Sequence, residues 1–223
     1  MKNLKKEFRK IAKQNINSLT KTKEIFNDKK SCILLKHLLK KQISKSKVKN
    51  ILVYIPLPLE MNIFPLILWL KRQNNVRIFT PFVIENDFKI TPFRFPLEKN
   101  QYNIHQTKNS NFISFNKIDL SLVPILGVDI DFKRIGFGKG MYDRFYSHLK
   151  NKPKTIFISR ILHFSNIKIT DSYDIDGDII ISNKRENYDF ISNTWIHSNR
   201  CNFKRPIILY NKKNLYFKAK CSY

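Results

Sequence analysis

Three of the chain's five glycines stand at alternate positions, 136, 138 and 140, within Arg134-Ile-Gly-Phe-Gly-Lys-Gly-Met-Tyr-Asp-Arg144. Glycine lets a backbone bend sharply and approach a ligand closely. Arg134 and Lys139 flank these glycines, and Asp143 follows them. Bare amides, two cations and a carboxylate can together hold a phosphate and its magnesium ion. The spacing matches neither the P-loop nor the dinucleotide fingerprint. On the residues alone, a structural turn competes evenly with an anion site, and Asp143 would also suit a helix dipole.

The surrounding elements must place this loop. Residues 3–14 read as a helix, with Leu4, Phe8, Ile11 and Ala12 on one stripe and Lys5 and Arg9 on the next. A second helix is expected over 23–42 and a buried strand over 50–55. A helix over 60–73 has Pro65 in its first turn. Strands are expected over 76–80, 88–93, 119–124, 155–159 and 178–181, a polar loop over 99–111, and a helix over 141–149 after the glycines. Strands alternating with helices predict an α/β fold, a three-layer αβα sandwich around a mostly parallel sheet. The basic, aromatic segment 183–223 reads as a C-terminal extension to a domain spanning 1–182, with a hairpin expected at 207–218.

Composition narrows the function classes. The 223 residues suit one domain, and the 42% hydrophobic content suits a globular one. The longest apolar stretch, residues 63–70, is too short to span a bilayer and contains Pro65, so no membrane partner is expected. The lysine-rich start lacks the apolar segment of a secretory signal. Cys32, Cys201 and Cys221 fit no metal spacing, and none of the five histidines (37, 105, 148, 163, 197) pairs at a ligand spacing. A reducing cytoplasm is the expected location. The net charge of +25 invites a nucleic-acid reading, but lysine is spread along the whole chain without an aromatic-basic motif.

The segment from Val123 to Arg144 resembles the signature of the 5-formyltetrahydrofolate cyclo-ligases, also called 5,10-methenyltetrahydrofolate synthetases. That signature runs Pro-Gly-x-(Ala/Gly)-Phe-Asp, a turn, then Arg-(Leu/Ile)-Gly-x-Gly-x-Gly-x-Tyr-Asp. Pro124, Gly127, Asp129, Arg134, Gly136, Gly138, Gly140, Tyr142 and Asp143 match it in register. Lys5-Lys-Glu-Phe-Arg9 is similar to the family's opening helix, Ile55 and Glu60 to its folate-binding strand end and turn, and Asp178 to its late carboxylate; Asp174 and Asp176 lie nearby, and an acidic loop would account for all three. The resemblance covers roughly residues 3–182; Ile125 and Phe132 stand where glycine is usual, and Met141 where tyrosine is frequent.

The resemblance implies an ATP- and Mg²⁺-dependent closure of 5-formyltetrahydrofolate, with or without a polyglutamate tail, to 5,10-methenyltetrahydrofolate by a monomeric enzyme. ATP would be bound by Lys5, Arg9, Arg134, Gly136, Gly138, Lys139, Gly140 and Tyr142. Arg134 and Lys139 would stabilise the transferring phosphoryl group. Folate would meet Ile55, Glu60, Tyr102, Phe137, Gly138, Lys139, Gly140 and Met141. Asp143 and Asp178 would hold the magnesium ion. Two other readings stay open: a basic nucleic-acid-binding protein that keeps the fold without catalysis, and another phosphate-handling enzyme on the same fold, such as a sugar-phosphate isomerase.

Overall fold

Helix α1 (Lys2–Asn17) buries Lys5, Phe8, Ala12 and Ile16, which recur every three or four residues and so share one face. The computed structural model describes residues 2–44, 48–84, 87–101, 104–108, 112, 118–191 and 194–210. Helix α2 (Lys21–Ser44) buries a stripe of two characters: Asp28 and Ser31 first, then Cys32, Leu35 and Leu39. Helix α3 (Phe64–Lys71) has Pro65 in its first turn, as expected, but starts later than residue 60. Pro58 lies inside a turn closed by the Glu60 amide donating to the Leu57 carbonyl (2.9 Å), so Glu60 sits in that turn rather than on a helix.

The strands, in chain order, are β1 (Asn50–Leu52), β2 (Arg77–Ile84), β3 (Asp87–Pro92), β4 (Leu97–Lys99), β5 (His105–Thr107), β6 (Leu120–Pro124), β7 (Gly127–Val128), β8 (Arg134–Ile135), β9 (Lys154–Ile158), β10 (Leu162–Ser165), β11 (Ile179–Ile191) and β12 (Thr194–Tyr210). Among the described residues they form a ten-stranded sheet in the order β3-β2-β1-β6-β9-β11-β10-β7-β8, with β12 on β11, plus the separate pair β4-β5. The central pairings β2-β1-β6-β9-β11 are parallel.

Alternation along each strand separates two cores. Ile51, Leu120, Ile156, Ile158, Ile179 and Ile181 face α2 and α3. Leu52, Val123, Phe157 and Ile180 face the other way, onto Phe145 and Tyr146 of helix α4 (Met141–Ser147). Helices on both faces of a mostly parallel sheet make the expected three layers. Each fully buried aliphatic side chain here contributes about 1.5–3 kcal/mol.

The sheet carries a break that the sequence did not announce. Strands β9 and β10 lie in one register along a single edge of β11: Ile156 is opposite Ile179, and Leu162 is opposite Arg185. Ser159–Arg160–Ile161 leaves the ladder between them. Across the gap, the β11–β12 pairing shifts register between Ser182 and Lys184. Beyond the break, α1 packs through Phe8 onto Ile135, Ile169 and Tyr188. There His163 donates from Nδ1 to the Leu126 carbonyl (2.9 Å), and full burial pulls its imidazole down to about 4. It is therefore neutral, and the 3.9 Å approach of Nε2 to Glu186 is not an ion pair.

Strand β11 runs without interruption across position 183, so residues 183–191 and 194–210 extend the main sheet. The distal half of the expected terminal hairpin lies outside the described residues. The polar stretch 99–111 contains β5, paired with β4 just before it, which its low hydrophobicity concealed. No helix among the described residues is long and apolar enough to cross a membrane.

Candidate active site

The glycine loop links β8 to α4, and each of its glycines has its own reason. Gly138 (φ 114°) and Gly140 (φ 64°) adopt the left-handed region. Gly136 leaves room for a side chain instead: an added Cβ would stand 2.3 Å from Arg134 Nη1. Arg134 lies under the loop, 5% exposed. Its Nη1 donates to Asp143 Oδ2 (2.9 Å), and its Nη2 and Nε donate to the Pro124 carbonyl (3.2 and 3.4 Å). Phe132 occupies its glycine-like position at φ 58°, so the turn keeps the left-handed bend despite the side chain. Gly136→Ala should expel the Arg134 guanidinium and lower turnover about 100-fold, read in a kcat measurement on folded protein.

From outside, α1 clamps the same loop. Arg9 Nε donates to the Gly136 carbonyl (2.9 Å) and Lys13 Nζ to that of Phe137 (3.0 Å). Burial pulls the Arg9 guanidinium down from its ordinary value, an effect that the Asp174 and Asp143 carboxylates oppose. Helix and loop enclose a cleft of about 360 Å³ lined by Lys5, Arg9, Lys139, Arg144, Asp143 and Asp174 among others. A groove of about 780 Å³ along α1 adjoins it through Arg9 and Gly138. Both volumes lie in the range that accepts nucleotide-sized ligands.

Two acidic side chains line the cleft, Asp143 and Asp174, and Asp178 is not one of them. Lys5 Nζ pairs with Asp174 and lies 3.6 Å from Asp171. Asp178 points elsewhere: its Oδ2 accepts from the Thr155 amide (2.7 Å) near the start of β9. The Arg134–Asp143 pair sits at Pro124, opposite Ile158 at the other end of that strand. Three residues of strand separate the two levels by roughly 10 Å. Asp176 is exposed, bridged through its backbone to Lys133. Of the acidic run 171–178, Asp174 is the carboxylate that lines the cleft.

The loop after β1 carries two residues expected to meet folate, Ile55 and Glu60. Leu57 donates its amide to Glu60 Oε2 (3.0 Å), closing the turn from both sides. Ile55 is half-buried against the core. Leu59 and Phe137 pack on one cluster of Ala12, Ile16, Leu126 and Ile161, so the Glu60 turn and the glycine loop rest on a shared base. Burial pushes the Glu60 carboxyl up from 4.5 to about 7, against the fields of Arg134 and Arg160. Tyr142 turns inward rather than into the cation cleft. Its hydroxyl is buried without a hydrogen-bond partner, and its ring lies 5.1 Å from that of Phe88. Met141 is half-buried beside it, and Lys139 is exposed on the rim. Tyr102 lies outside the described residues.

The raised Glu60 value has a stability consequence. The folded state holds the proton more tightly than the unfolded chain does. This group's penalty is therefore absent below pH 4.5 and grows as pH rises to about 7. The total is about 3 kcal/mol. The stability difference between wild type and Glu60→Gln should shift by that amount between pH 4 and pH 8 in urea unfolding.

The oxygen donors suit a hard divalent cation. Asp143 Oδ1 is buried without a partner, and Asp174 lines the same cleft. Among the described residues no three His, Cys, Asp or Glu side chains group as ligands. Magnesium is commonly held by one or two carboxylates and completed by phosphate and water, so this set fits it.

Sequence reasoning placed Asp174 only as a neighbour of Asp178, and missed Arg144 on the rim, Lys13 on the loop and Arg160 behind the turn. Arg144 adjoins the motif and could have been read from it; Arg160 carries no local signal.

Residues 1–166 match the model of the 5-formyltetrahydrofolate cyclo-ligase family. A 5-formyltetrahydrofolate cyclo-ligase of Mycoplasma genitalium is 28% identical over 142 residues, covering 63% of this chain and 76% of that protein. The namesake from Mycoplasma pneumoniae is 28% identical over 140 residues, covering 63% and 76%. A solved 5,10-methenyltetrahydrofolate synthetase of Mycoplasma pneumoniae superposes with a TM-score of 0.61 at 25% identity, covering 79% of this chain and 96% of that one. The solution structure of an Aquifex aeolicus 5,10-methenyltetrahydrofolate synthetase, with a TM-score of 0.66 at 23% identity over 80% of this chain and 89% of that one, shares the fold.

Proposed function

Since this chain belongs to the 5-formyltetrahydrofolate cyclo-ligase family, we propose that it converts 5-formyltetrahydrofolate and ATP to 5,10-methenyltetrahydrofolate, ADP and phosphate. The observation that carries the ATP reading is the cleft in which Asp143 and Asp174 share a wall with Lys5, Arg9, Lys139 and Arg144.

A formyl oxygen is a poor leaving group. In this reading it attacks the γ-phosphorus of ATP and ADP departs, leaving an iminium phosphate at N5. Folate N10 attacks the iminium carbon and loses its proton. The carbon–oxygen bond then breaks, and phosphate leaves with the former formyl oxygen. The protein's part is placement and charge neutralisation. Lys5, Arg9, Lys139 and Arg144 face the triphosphate, with the glycine backbone close behind it. Arg134 acts from beneath as the counter-ion that aims Asp143. Asp143 with Asp174, in place of Asp178, would hold Mg²⁺, which supplies charge neutralisation at the phosphates. Glu60 and Ile55 meet the pterin: a carboxylate suits its amino and ring N–H donors, and such donors draw a raised carboxyl back to its ionised form.

Folded protein with 5-formyltetrahydrofolate, ATP and magnesium should generate the near-ultraviolet absorbance of the methenyl product. The signal should stop when EDTA is added or ATP is omitted. Absence of signal from folded protein would remove the assignment.

A further inference from the structure

Arg160 lies in the break between β9 and β10, only 5% exposed, in none of the roles assigned above. Its guanidinium has five N–H donors, and the structure shows a use for each. Nε and Nη2 take both oxygens of Asp28 (3.2 and 2.9 Å), and Nη1 takes Glu24 Oε1 (3.0 Å), both acids on α2. The remaining two reach the turn that carries Glu60: Nη1 donates to the Pro58 carbonyl (3.3 Å) and Nη2 to that of Glu60 itself (2.7 Å). Asp28 Oδ2 also accepts the Asn62 amide (2.9 Å), so one buried ion pair grips the loop at residues 58, 60 and 62. On the β11 side of the break, Asn183 Nδ2 bonds Ser31 Oγ (2.5 Å), seating α2 there.

We propose that Arg160 is a positioning residue that sets the affinity for the folate substrate, by holding the Leu57–Glu60 turn at a fixed distance from the glycine loop. The proposal rests on the reading of Glu60 as a pterin-binding group. The two carbonyls face the guanidinium, so they cannot adjust without losing buried hydrogen bonds. Lysine cannot replace it, because one ammonium with three donors does not span a carboxylate fork and two carbonyls.

Arg160→Lys should raise the KM for 5-formyltetrahydrofolate about tenfold, as expected when a binding group shifts by a fraction of an ångström. The KM for ATP and kcat should stay within about twofold, since neither contact network includes Arg160. Amide hydrogen exchange should quicken at residues 57–62 and not in α1. An unchanged folate KM, or equal rises in both KM values, would overturn the proposal. If Arg160→Lys does not fold, Glu24→Ala removes one partner at the more exposed end. A folate KM raised about two- to threefold with ATP unaffected supports the proposal, and an unaltered folate KM overturns it. Failure of wild type to turn over folate at all counts against the assigned function rather than against Arg160.

Discussion

Replacing Asp143 by asparagine is expected to lower turnover by about three orders of magnitude, with the protein still folded. The substitution keeps size and an acceptor oxygen, so Arg134 Nη1 retains a hydrogen bond across the present 2.9 Å. What disappears is the negative charge, and with it the affinity of the buried, unpartnered Oδ1 for a cation. Asp174→Asn should act in the same direction and additionally leave Lys5 without its buried counter-ion. Asp178→Asn is the decisive contrast. Its carboxylate serves the Thr155 amide at the other end of β9, so turnover should stay within a few-fold and the cost should appear in stability. Initial rates of methenyl formation across a magnesium titration measure all three. A large loss for Asp178→Asn with a small one for Asp174→Asn would reverse the assignment of the second carboxylate.

The largest stability effect should come from Asp129→Asn. This carboxylate is fully buried and accepts five hydrogen bonds. Oδ1 takes the amides of Asp131 (3.1 Å) and Lys133 (3.4 Å); Oδ2 takes the amides of Ile169 (3.1 Å) and Thr170 (3.0 Å) and the Thr170 hydroxyl (2.5 Å). An asparagine amide would turn an NH₂ group toward two or three of these donors and leave them buried and unpaired. Each such orphan costs about 1–3 kcal/mol, so a loss of about 3–5 kcal/mol is expected. For a chain of this size that lowers the melting temperature by roughly 10–20 °C. Thermal unfolding by circular dichroism measures it. Because Asp129 ties the loop before Arg134 to the segment before Asp174, activity should fall at temperatures well below the melting point.

These two aspartates show how unevenly the chain reveals itself. Asp129 and Asp143 both stand in the dense motif from Pro124 to Arg144, and local spacing was enough to mark them. One is a catalytic-site candidate and the other an internal strut, and only the bonds they make separate those roles. Arg134 is a similar case: its place beside the glycines suggested a phosphate contact, and the fold adds that it is buried and bonded to Asp143.

The elements themselves were legible wherever a periodic apolar pattern repeated. The α1 stripe, the β6 run and the α4 start follow from side-chain direction along a helix or strand, a property of neighbouring residues alone. The short pieces β7, β8 and β10 were not legible, because two to four residues carry too little pattern, and β7 and β10 join the sheet through partners distant in sequence. The Glu60 turn was read as a helix because a carboxylate near a proline suits a helix start equally well.

The sequence by itself determined the α/β layering, the glycine loop and the family resemblance, since each resides in the order and spacing of nearby residues. The tertiary structure alone decided that Asp174 rather than Asp178 lines the cleft, that Arg134 lies beneath the loop bonded to Asp143, and that Arg160 bonds the Glu60 turn. The physical reason is common to all three. A charged side chain's role depends on which partner meets it, and Lys5 with Asp174, Asp178 with Thr155 and Arg160 with Asp28 are pairs that only chain folding brings within bonding distance.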